Sequence, residues 1–575
     1  YLMNIKKLTD EFSVSDQICP DDVKTIADAG FRTIFCHRPD GEDPEQHHMD
    51  VIEAAAAQAD MDVVYLPVVH DTINADDVLS FTRAWESARK PALGYCRSGL
   101  RACTLWSLMQ VAQGETADSA AAKPHAAGFD FSTFKEKFAH VIAELTGAHN
   151  KADPSVSPST EPSVNYNETQ YDVVIVGAGA SGISVAASLL SRQRRLRIAL
   201  IDPAETHYYQ PGFTMIGGGV FNSEEVKRPM ASLIPKGVKW IQAAVAAFEP
   251  AHNIVTLQDG TGISYKRLVV CPGIKLNWDA IEGLSQTLGQ NGVTSNYRAD
   301  LAPYTWELAS RMTSGKAIFT QPPMPIKCAG APQKALYLSA DHWYRNGLTD
   351  NIELHFYNAG PVLFGVKDYV PALQSYMDKY KAHCHYSHKL VKVDGERKLA
   401  WFETQDADGN VTTVETAFDM LHVCPPQSAP DFIRTSPLAD DAGWIDVDAS
   451  TLQHKRFHNI WGLGDATNTA NAKTAAAVRK QVPVVAANII ADIQGLPQRY
   501  HYDGYGSCPL TVERGKIVLA EFAYGGKLMP SLPTWILDGT QPTAMAWHMK
   551  KSMLPALYWH GMLKGHELLV KPVPD

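Results

Sequence analysis

YDVVIVGAGASGISVAASLL, residues 171–190, decides the fold of most of this 575-residue chain. An apolar, β-branched run leads into Gly177, Gly179 and Gly182, and a helical pattern rich in small residues follows. Strand, glycine turn and helix in that order open a βαβ unit built to bind a dinucleotide. Gly177 permits the tight turn, Gly179 lets backbone approach a pyrophosphate, and Gly182 lets the helix pack closely on the strand. Ala180 and Ser181 begin the helix whose positive end would face the phosphates. Asp202, closing LRIALID (196–202), is the acidic residue placed for ribose hydroxyls.

Further along, NIWGLGDATN (459–468) is an apolar strand ending in Gly464-Asp465. In flavoproteins with two dinucleotide domains, such an aspartate sits on the ribityl chain of the flavin. LVVCPGI (268–274) is similar to the strand that closes the same half. AKTAAAVRKQVPVVAANIIADI (472–493) then suits a helix start aimed at the flavin, whose positive end, with Lys473, would stabilise negative charge on reduced flavin, and Thr474 is expected among the cofactor-binding residues. FAD is the expected cofactor.

A second glycine triad for NAD(P)H would open near residues 315–330, where the chain instead reads GKAIFTQPPMPIKCAGAPQKALYLSADHWY (315–344). Prolines and Cys328 replace the glycines, so electrons are expected to enter through Cys328. Pro332 suits the first turn of the helix that follows, leaving Cys328 just before a positive helix end with Lys327 beside it. Both influences favour thiolate.

The composition is that of a globular protein, 45 % hydrophobic and 20 % charged. A net charge of −10 argues against nucleic acid as a partner. No stretch is apolar for long enough to span a bilayer. The nine cysteines form no CxxC or zinc-like cluster, so no metal is expected and the thiols read as reduced.

Ahead of the flavin half, residues 3–112 alternate strands (RTIFCH, 32–37; MDVVYLPV, 61–68; ALGY, 92–95) with amphipathic helices, a small α/β domain. Residues 113–170 hold one predicted helix, 133–146, and then the linker ADPSVSPSTEPSVNYNETQ (152–170). The oxidoreductase domain spans 171–499, its FAD half formed by 171–275 and 425–499 and a degenerate second Rossmann half by 276–424, with a C-terminal region at 500–575.

In YCRSGLRACTLWSLM (95–109), Cys96 opens a loop between strand and helix. A tyrosine-phosphatase loop, C-x5-R, needs arginine at 102, but that residue is Ala102 and the arginine is Arg101. CRSGLR resembles the six-residue active loop of rhodanese sulfurtransferases, and the domain is similar to phosphatase-like domains of persulfide-handling proteins. That resemblance implies Cys96 as sulfur carrier, with Arg97 and Arg101 binding thiosulfate or sulfite oxygens. Asp40 reads as a loop-capping residue. A silent docking domain and a cysteine phosphatase are the competing readings.

IKCAGAPQKALYLS, SPLADDAGWIDVDASTLQH, FHNIWGLGDATN, KTAAAV and YDGYGSCPLTVERGKIVLAEFAYGG resemble the mitochondrial-type branch of sulfide:quinone oxidoreductase over essentially all of 171–575. The resemblance implies oxidation of hydrogen sulfide by a cysteine pair beside FAD, electron transfer to a membrane quinone, and sulfur passed to a small thiol or sulfite acceptor. It makes Cys328 the thiolate that reacts with the flavin. The second cysteine is expected after Gly464-Asp465, where this chain has Ala466, read as a substituted cysteine with Cys424 and Cys271 as fallback thiols. The rival in the flavin half is an NADH:quinone-type reductase.

In PTAMAWHMKKSMLPALYWHGMLKGHELLVKP (542–572), Met, Trp and Tyr residues interleave with Lys550, Lys551 and Lys564, as in a segment lying in the membrane interface. The expectation is a peripheral protein on the cytoplasmic side of a bacterial inner membrane, with a homo-oligomer allowed.

Overall fold

The computed structural model describes residues 4–40, 42–43, 46–70, 73–147, 170–498 and 500–572. The linker read at 152–170 lies outside them except for Gln170. Two compact units divide the chain: one holds residues 4–147 with 491–497, the other the remainder of the described chain.

In the first unit, β1 (Lys6–Lys7), β2 (Phe12–Ser15), β3 (Thr33–Cys36), β4 (Asp62–Tyr65) and β5 (Ala92–Tyr95) form one sheet in the order β1-β2-β5-β3-β4. Only β1 runs antiparallel. Between the strands lie α1 (Pro20–Asp28), α2 (Met49–Gln58) and α3 (Ala75–Ser87), and α4 (Leu100–Ala112) follows β5. β2, β3 and β5 are buried throughout, as strands covered by helices on both faces must be. The helix read at 133–146 is two helices, α6 (Phe134–Lys137) and α7 (Ala139–Gly147), preceded by α5 (Ala117–Ala126). Phe134, Phe138, Val141 and Leu145 join the core formed by Leu105, Leu108 and Met109 of α4, so this helical appendix completes the first unit's own core.

In the second unit, β6 (Tyr171–Val176), α8 (Ala180–Arg192) and β7 (Ile198–Ile201) realise the opening motif. β6 lies between β7 and strand Gly262–Val270, which in turn pairs with Ile460–Gly462, all parallel. That pairing brings the Gly464-Asp465 turn beside the glycine loop across nearly 300 residues of sequence, about as Rossmann topology requires. A second sheet pairs Val293–Thr294, Met420–His422, Gly315–Gln321, Ile352–Asn358 and His383–Tyr386 in that order, again all parallel. After Gly315–Gln321 comes helix Ala331–Arg345, buried along most of its length against the antiparallel pair Gly506–Glu513 and Lys516–Phe522.

Candidate active site

The glycine loop is shaped for a pyrophosphate. A Cβ on Gly177, whose φ is +104°, would lie 2.4 Å from the Cys271 carbonyl oxygen, and one on Gly182 would lie 1.7 Å from the Gly177 carbonyl oxygen. A Cβ on Gly179 would meet nothing within 4 Å, so the open side of the loop is at the residue where phosphate must approach. No side chain caps α8 at that end. Asp202 accepts hydrogen bonds from the Ala178 amide (2.7 Å) and the Ala204 amide (2.8 Å), which fixes the loop and leaves lone pairs for a ribose.

Gly464 adopts φ +78° against the first turn of α8, where a Cβ would come within 2.8 Å of Ser181 Oγ. Burial pushes the Asp465 carboxyl up, opposed by the charges of Lys473 and Lys327. Lys473 is buried, donates to the Thr467 carbonyl (2.8 Å) and stands over the Trp444 ring; burial lowers its pKa to about 8. Thr474 Oγ1 accepts from the Ala477 amide and caps the helix starting at Ala475. These residues fit FAD: an open phosphate turn, a fixed ribose carboxylate, and an acidic and a basic group at a second helix start.

Cys328 is tied to this half through its own backbone, its amide donating to the Lys473 carbonyl (2.8 Å). The Tyr297 hydroxyl donates to the Lys327 carbonyl (3.1 Å). Cys328 has φ +50°, a left-handed conformation that non-glycine residues seldom adopt and that is enriched at functional sites. Its sulfur faces Cys508 Sγ at 3.7 Å, from strand Gly506–Glu513, and Lys334 Nζ at 3.0 Å, from the first turns of the following helix. Gly330 makes room, since a Cβ there would stand 2.6 Å from Cys508 Sγ.

The electrostatics separate the two thiols. A hydrogen bond from the Cys508 thiol lowers the Cys328 pKa well below the ordinary value; burial opposes it, and Lys334 and then Lys550 pull it further down. Cys508 moves up, through that same hydrogen bond and through burial. Burial works against the Lys334 ammonium, but the charges of Cys328 and Cys508 outweigh it and raise its pKa. Lys550 is buried, donates to the Pro509 carbonyl (3.2 Å) and is brought down to about 7 by burial and then by Lys334.

Several sequence expectations are corrected here. The sulfur nearest Cys328 belongs to Cys508, so Ala466 requires no lost cysteine; it is fully buried, its carbonyl accepting from the Ile445 amide. Cys271 packs behind the glycine loop with its thiol 3.8 Å from the Gly177 carbonyl, and Cys424 is buried beside Tyr297; burial pushes both thiols up. The cation on Cys328 is Lys334, in the first turn of the following helix, whereas Lys327 points its ammonium at Gln210 Oε1 (2.7 Å). Lys550, expected among lipid headgroups, is buried by the sulfurs, and Trp547, Tyr558, Trp559, Met562 and Leu563 are buried too. The missed residues had one signal: Cys508 lies within YDGYGSCPLTVERGKIVLAEFAYGG, a stretch already singled out as family-like.

In the first unit, Cys96 and the Cys36-His37-Arg38 segment leave adjacent strands at the same sheet end, where Cys36 pairs in register with Tyr95. Cys96 is buried and Arg97 exposed. Arg101 Nη2 donates to Glu42 Oε1, while Glu42 Oε2 accepts from Arg38 Nε (2.7 Å). Arg101 thus gives Nη2 to a carboxylate, while its Nη1 is buried without a partner among the described residues. Both oxygens of Asp40 accept from the Met49 amide, which caps α2.

The second unit has the frame and site of a flavoprotein oxidoreductase of the two-dinucleotide-fold class, with a dithiol where the second nucleotide loop would be. Residues 171–304 match the family described as pyridine nucleotide-disulphide oxidoreductase, and residues 4–113 match the phosphatase-like domain of beta-lactamase hydrolase-like protein. The chain is 42 % identical over 396 residues to the mitochondrial sulfide:quinone oxidoreductase of Dictyostelium discoideum, covering 68 % of this chain and 86 % of that one. It is 37 % identical to the Mus musculus enzyme of the same name, covering 69 % and 88 %. The crystal structure of the Aquifex aeolicus sulfide:quinone oxidoreductase shares the fold, with TM-score 0.58 at 20 % identity over 70 % of this chain and 96 % of that one. The chain belongs to the sulfide:quinone oxidoreductase family. It is an FAD enzyme that oxidises sulfide and delivers the electrons to quinone.

Proposed function

We propose that sulfide is oxidised at a Cys328–Cys508 pair, with Lys334 as the cation that holds Cys328 as thiolate and Lys550 as the group that takes the sulfide proton. The observation that carries this reading is the 3.7 Å approach of the two sulfurs with Lys334 Nζ 3.0 Å from one of them. In the oxidised pair an S–S bond joins Cys328 and Cys508. Sulfide attacks Cys508; one S–S bond forms, the bridge breaks, and Cys328 leaves as the thiolate that Lys334 stabilises. A nucleophilic acceptor, a small thiol or sulfite, takes the outer sulfur from Cys508, and the two sulfurs re-join with release of two electrons. Gly177, Gly179, Gly182, Asp202 and the Gly464-Asp465 turn would hold FAD, which would supply the two-electron relay from that pair to quinone. Cys508 is buried and Cys328 half-buried, which limits the access of bulk water to the reactive sulfur. Peptide mapping after alkylation under non-reducing denaturation tests the pairing. A Cys328–Cys508 bridge is expected in the air-oxidised protein, and a bridge from Cys328 to Cys424 overturns it.

The first unit takes on sulfane sulfur at Cys96. Its support is the buried cysteine at the head of a six-residue loop, at the strand ends where open α/β sheets bind ligands. The flavin unit contacts the membrane peripherally, on a cytoplasmic face, near its C-terminal segment. Among the described residues no helix is long and apolar enough to cross a membrane. Trp535 is 84 % exposed and Met553 61 %, and exposed Ile536 and Met545 flank the cluster in which Leu532 and Leu537 pack on Trp547. Co-sedimentation with liposomes, reduced in Trp535→Ser/Met553→Ser, tests that contact.

A further inference from the structure

The charges around Cys96 are arranged against the ligands that a cysteine–arginine loop ordinarily takes. Arg101 is the only arginine of the CRSGLR loop that is largely buried, with 13 % of its side chain exposed, and Glu42 is 25 % exposed. One face of the Arg101 guanidinium is closed by Glu42 through Nη2, and Glu42 also holds Arg38, which is 5 % exposed and reaches Gln17 Oε1 at 2.8 Å. Burial alone would raise the Glu42 carboxyl, but the bonds from Arg101 and then Arg38 lower it, so it stays ionised. Among the described residues Arg101 Nη1 is buried without a partner, and so is Nε2 of the fully buried His37. The other nitrogen of His37, Nδ1, meets the Leu66 carbonyl at 3.0 Å and must be its donor, leaving Nε2 as an acceptor with nothing to accept from. Burial lowers the His37 pKa to about 4, so the ring is neutral near pH 7.

A phosphate monoester or thiosulfate held bidentately would take two guanidinium nitrogens, and Glu42 already holds Nη2 of Arg101, leaving Nη1 alone for such an oxygen. The –S–SH group of a hydropersulfide brings at most one charge to the sulfur and calls for no bidentate guanidinium. We propose that Glu42 sets the ligand class of the Cys96 site: by holding Nη2 of Arg101 it disfavours bidentate binding of dianionic oxyanions and favours hydropersulfides. This inference rests on the reading of Cys96 as a sulfur acceptor. In the step itself, the Cys96 thiolate attacks the outer sulfur of R–S–SH. The new Cys96–S bond forms as the R–S bond breaks, R–S⁻ leaves, and the product is Cys96–S–SH. One neutral sulfur atom moves, with no net change in electrons and no further reactant. The flavin unit's product, a persulfide on a small thiol, has the chemistry this site accepts.

The test uses the full-length FAD-loaded protein and its Glu42→Gln form, which keeps the side chain's size and removes its charge. Loading of Cys96 by glutathione persulfide or by thiosulfate is followed by the mass of the Cys96 peptide. Wild type is expected to load from persulfide at least about tenfold faster than from thiosulfate; in Glu42→Gln the thiosulfate rate rises about tenfold or more while the persulfide rate stays within about threefold. If Glu42→Gln leaves that ratio unchanged while Cys96 still loads, the assignment of Glu42 fails and sulfur transfer stands. A second readout needs no sulfur transfer: sulfate should protect Cys96 from alkylation at about tenfold lower concentration in Glu42→Gln. Protection without loading from either donor would uphold Glu42 as an anion gate and overturn the sulfur-acceptor reading. Equal sulfate protection in both forms overturns the gate. Glu42→Asp, which keeps the charge, should behave as wild type and serves as control should Glu42→Gln fold poorly.

Discussion

Cys328 and Cys96 sit at comparable places, each in a loop between a parallel strand and a helix, yet their surroundings distribute charge in opposite ways. At Cys328 the cation is given to the sulfur: Lys334 Nζ lies 3.0 Å away and Cys508 is the second sulfur. At Cys96 the loop's buried cation is given to a carboxylate, Glu42. The first arrangement prepares a leaving thiolate and a two-electron centre. The second commits Nη2 of the loop's arginine to a carboxylate, and we read that loop as carrying sulfur without redox change. A strand–loop–helix cysteine is therefore read from what its cations touch, not from the loop alone.

The comparison breaks most easily at the dithiol. Cys328→Ser and Cys508→Ser should each lower sulfide-dependent quinone reduction by about a thousandfold or more, whereas Cys424→Ser and Cys271→Ser should stay within about threefold. Steady-state turnover with a soluble quinone decides this, and a large loss in Cys424→Ser would move the second sulfur.

Next in size is Lys334. Lys334→Gln removes the charge that favours the Cys328 thiolate, so the thiol pKa must rise and the rate near neutrality fall by about ten- to hundredfold, recovering as pH increases. Alkylation of the reduced protein across pH reads the shift directly. Lys550 titrates near pH 7, its pKa brought down to about 7 by burial. Its neutral form is the base, so wild-type activity should climb through that pH, and Lys550→Met should flatten this limb with a loss of about tenfold.

The glycine loop separates cofactor from fold. Gly179→Ala meets no protein atom and should weaken FAD retention by about tenfold while leaving the apoprotein's melting point within about 2 °C; Gly182→Ala drives a Cβ into the Gly177 carbonyl and should fail to fold. The smallest effect is expected at Cys96. Cys96→Ser should leave flavin reduction by sulfide within about twofold and change only the distribution of sulfur products.

How far this was legible in the sequence follows from how local each signal is. The flavin half was readable because the glycine turn, Asp202 and Gly464-Asp465 each carry their own chemistry within a few residues. Cys328 stood out because it displaced an expected glycine triad. Cys508 carried no such mark: it is 180 residues from Cys328, in the alternating pattern of an ordinary strand, and only the packing of Gly506–Glu513 on helix Ala331–Arg345 brings the two together. The residue after the Gly464-Asp465 turn, where the family resemblance places the second cysteine, is Ala466. Lys334 lies within IKCAGAPQKALYLS, but its charge matters only once the helix turns it back onto the sulfur. Lys550 reads as interfacial because burying a lysine costs too much unless partners compensate; the Pro509 carbonyl and the two thiols offset only part of that cost, and burial brings its pKa down to about 7. Glu42 gave no signal at all, since its role depends on Arg38 and Arg101 meeting across separate loops.

The central claim is that Cys328 and Cys508 together form the entry for electrons. Anaerobic titration of the FAD-loaded protein with sulfide, followed by flavin absorbance, tests it most directly. The account predicts that wild type and Cys424→Ser bleach with a stoichiometric amount of sulfide and that Cys508→Ser does not. Full bleaching of Cys508→Ser at the wild-type rate would contradict it.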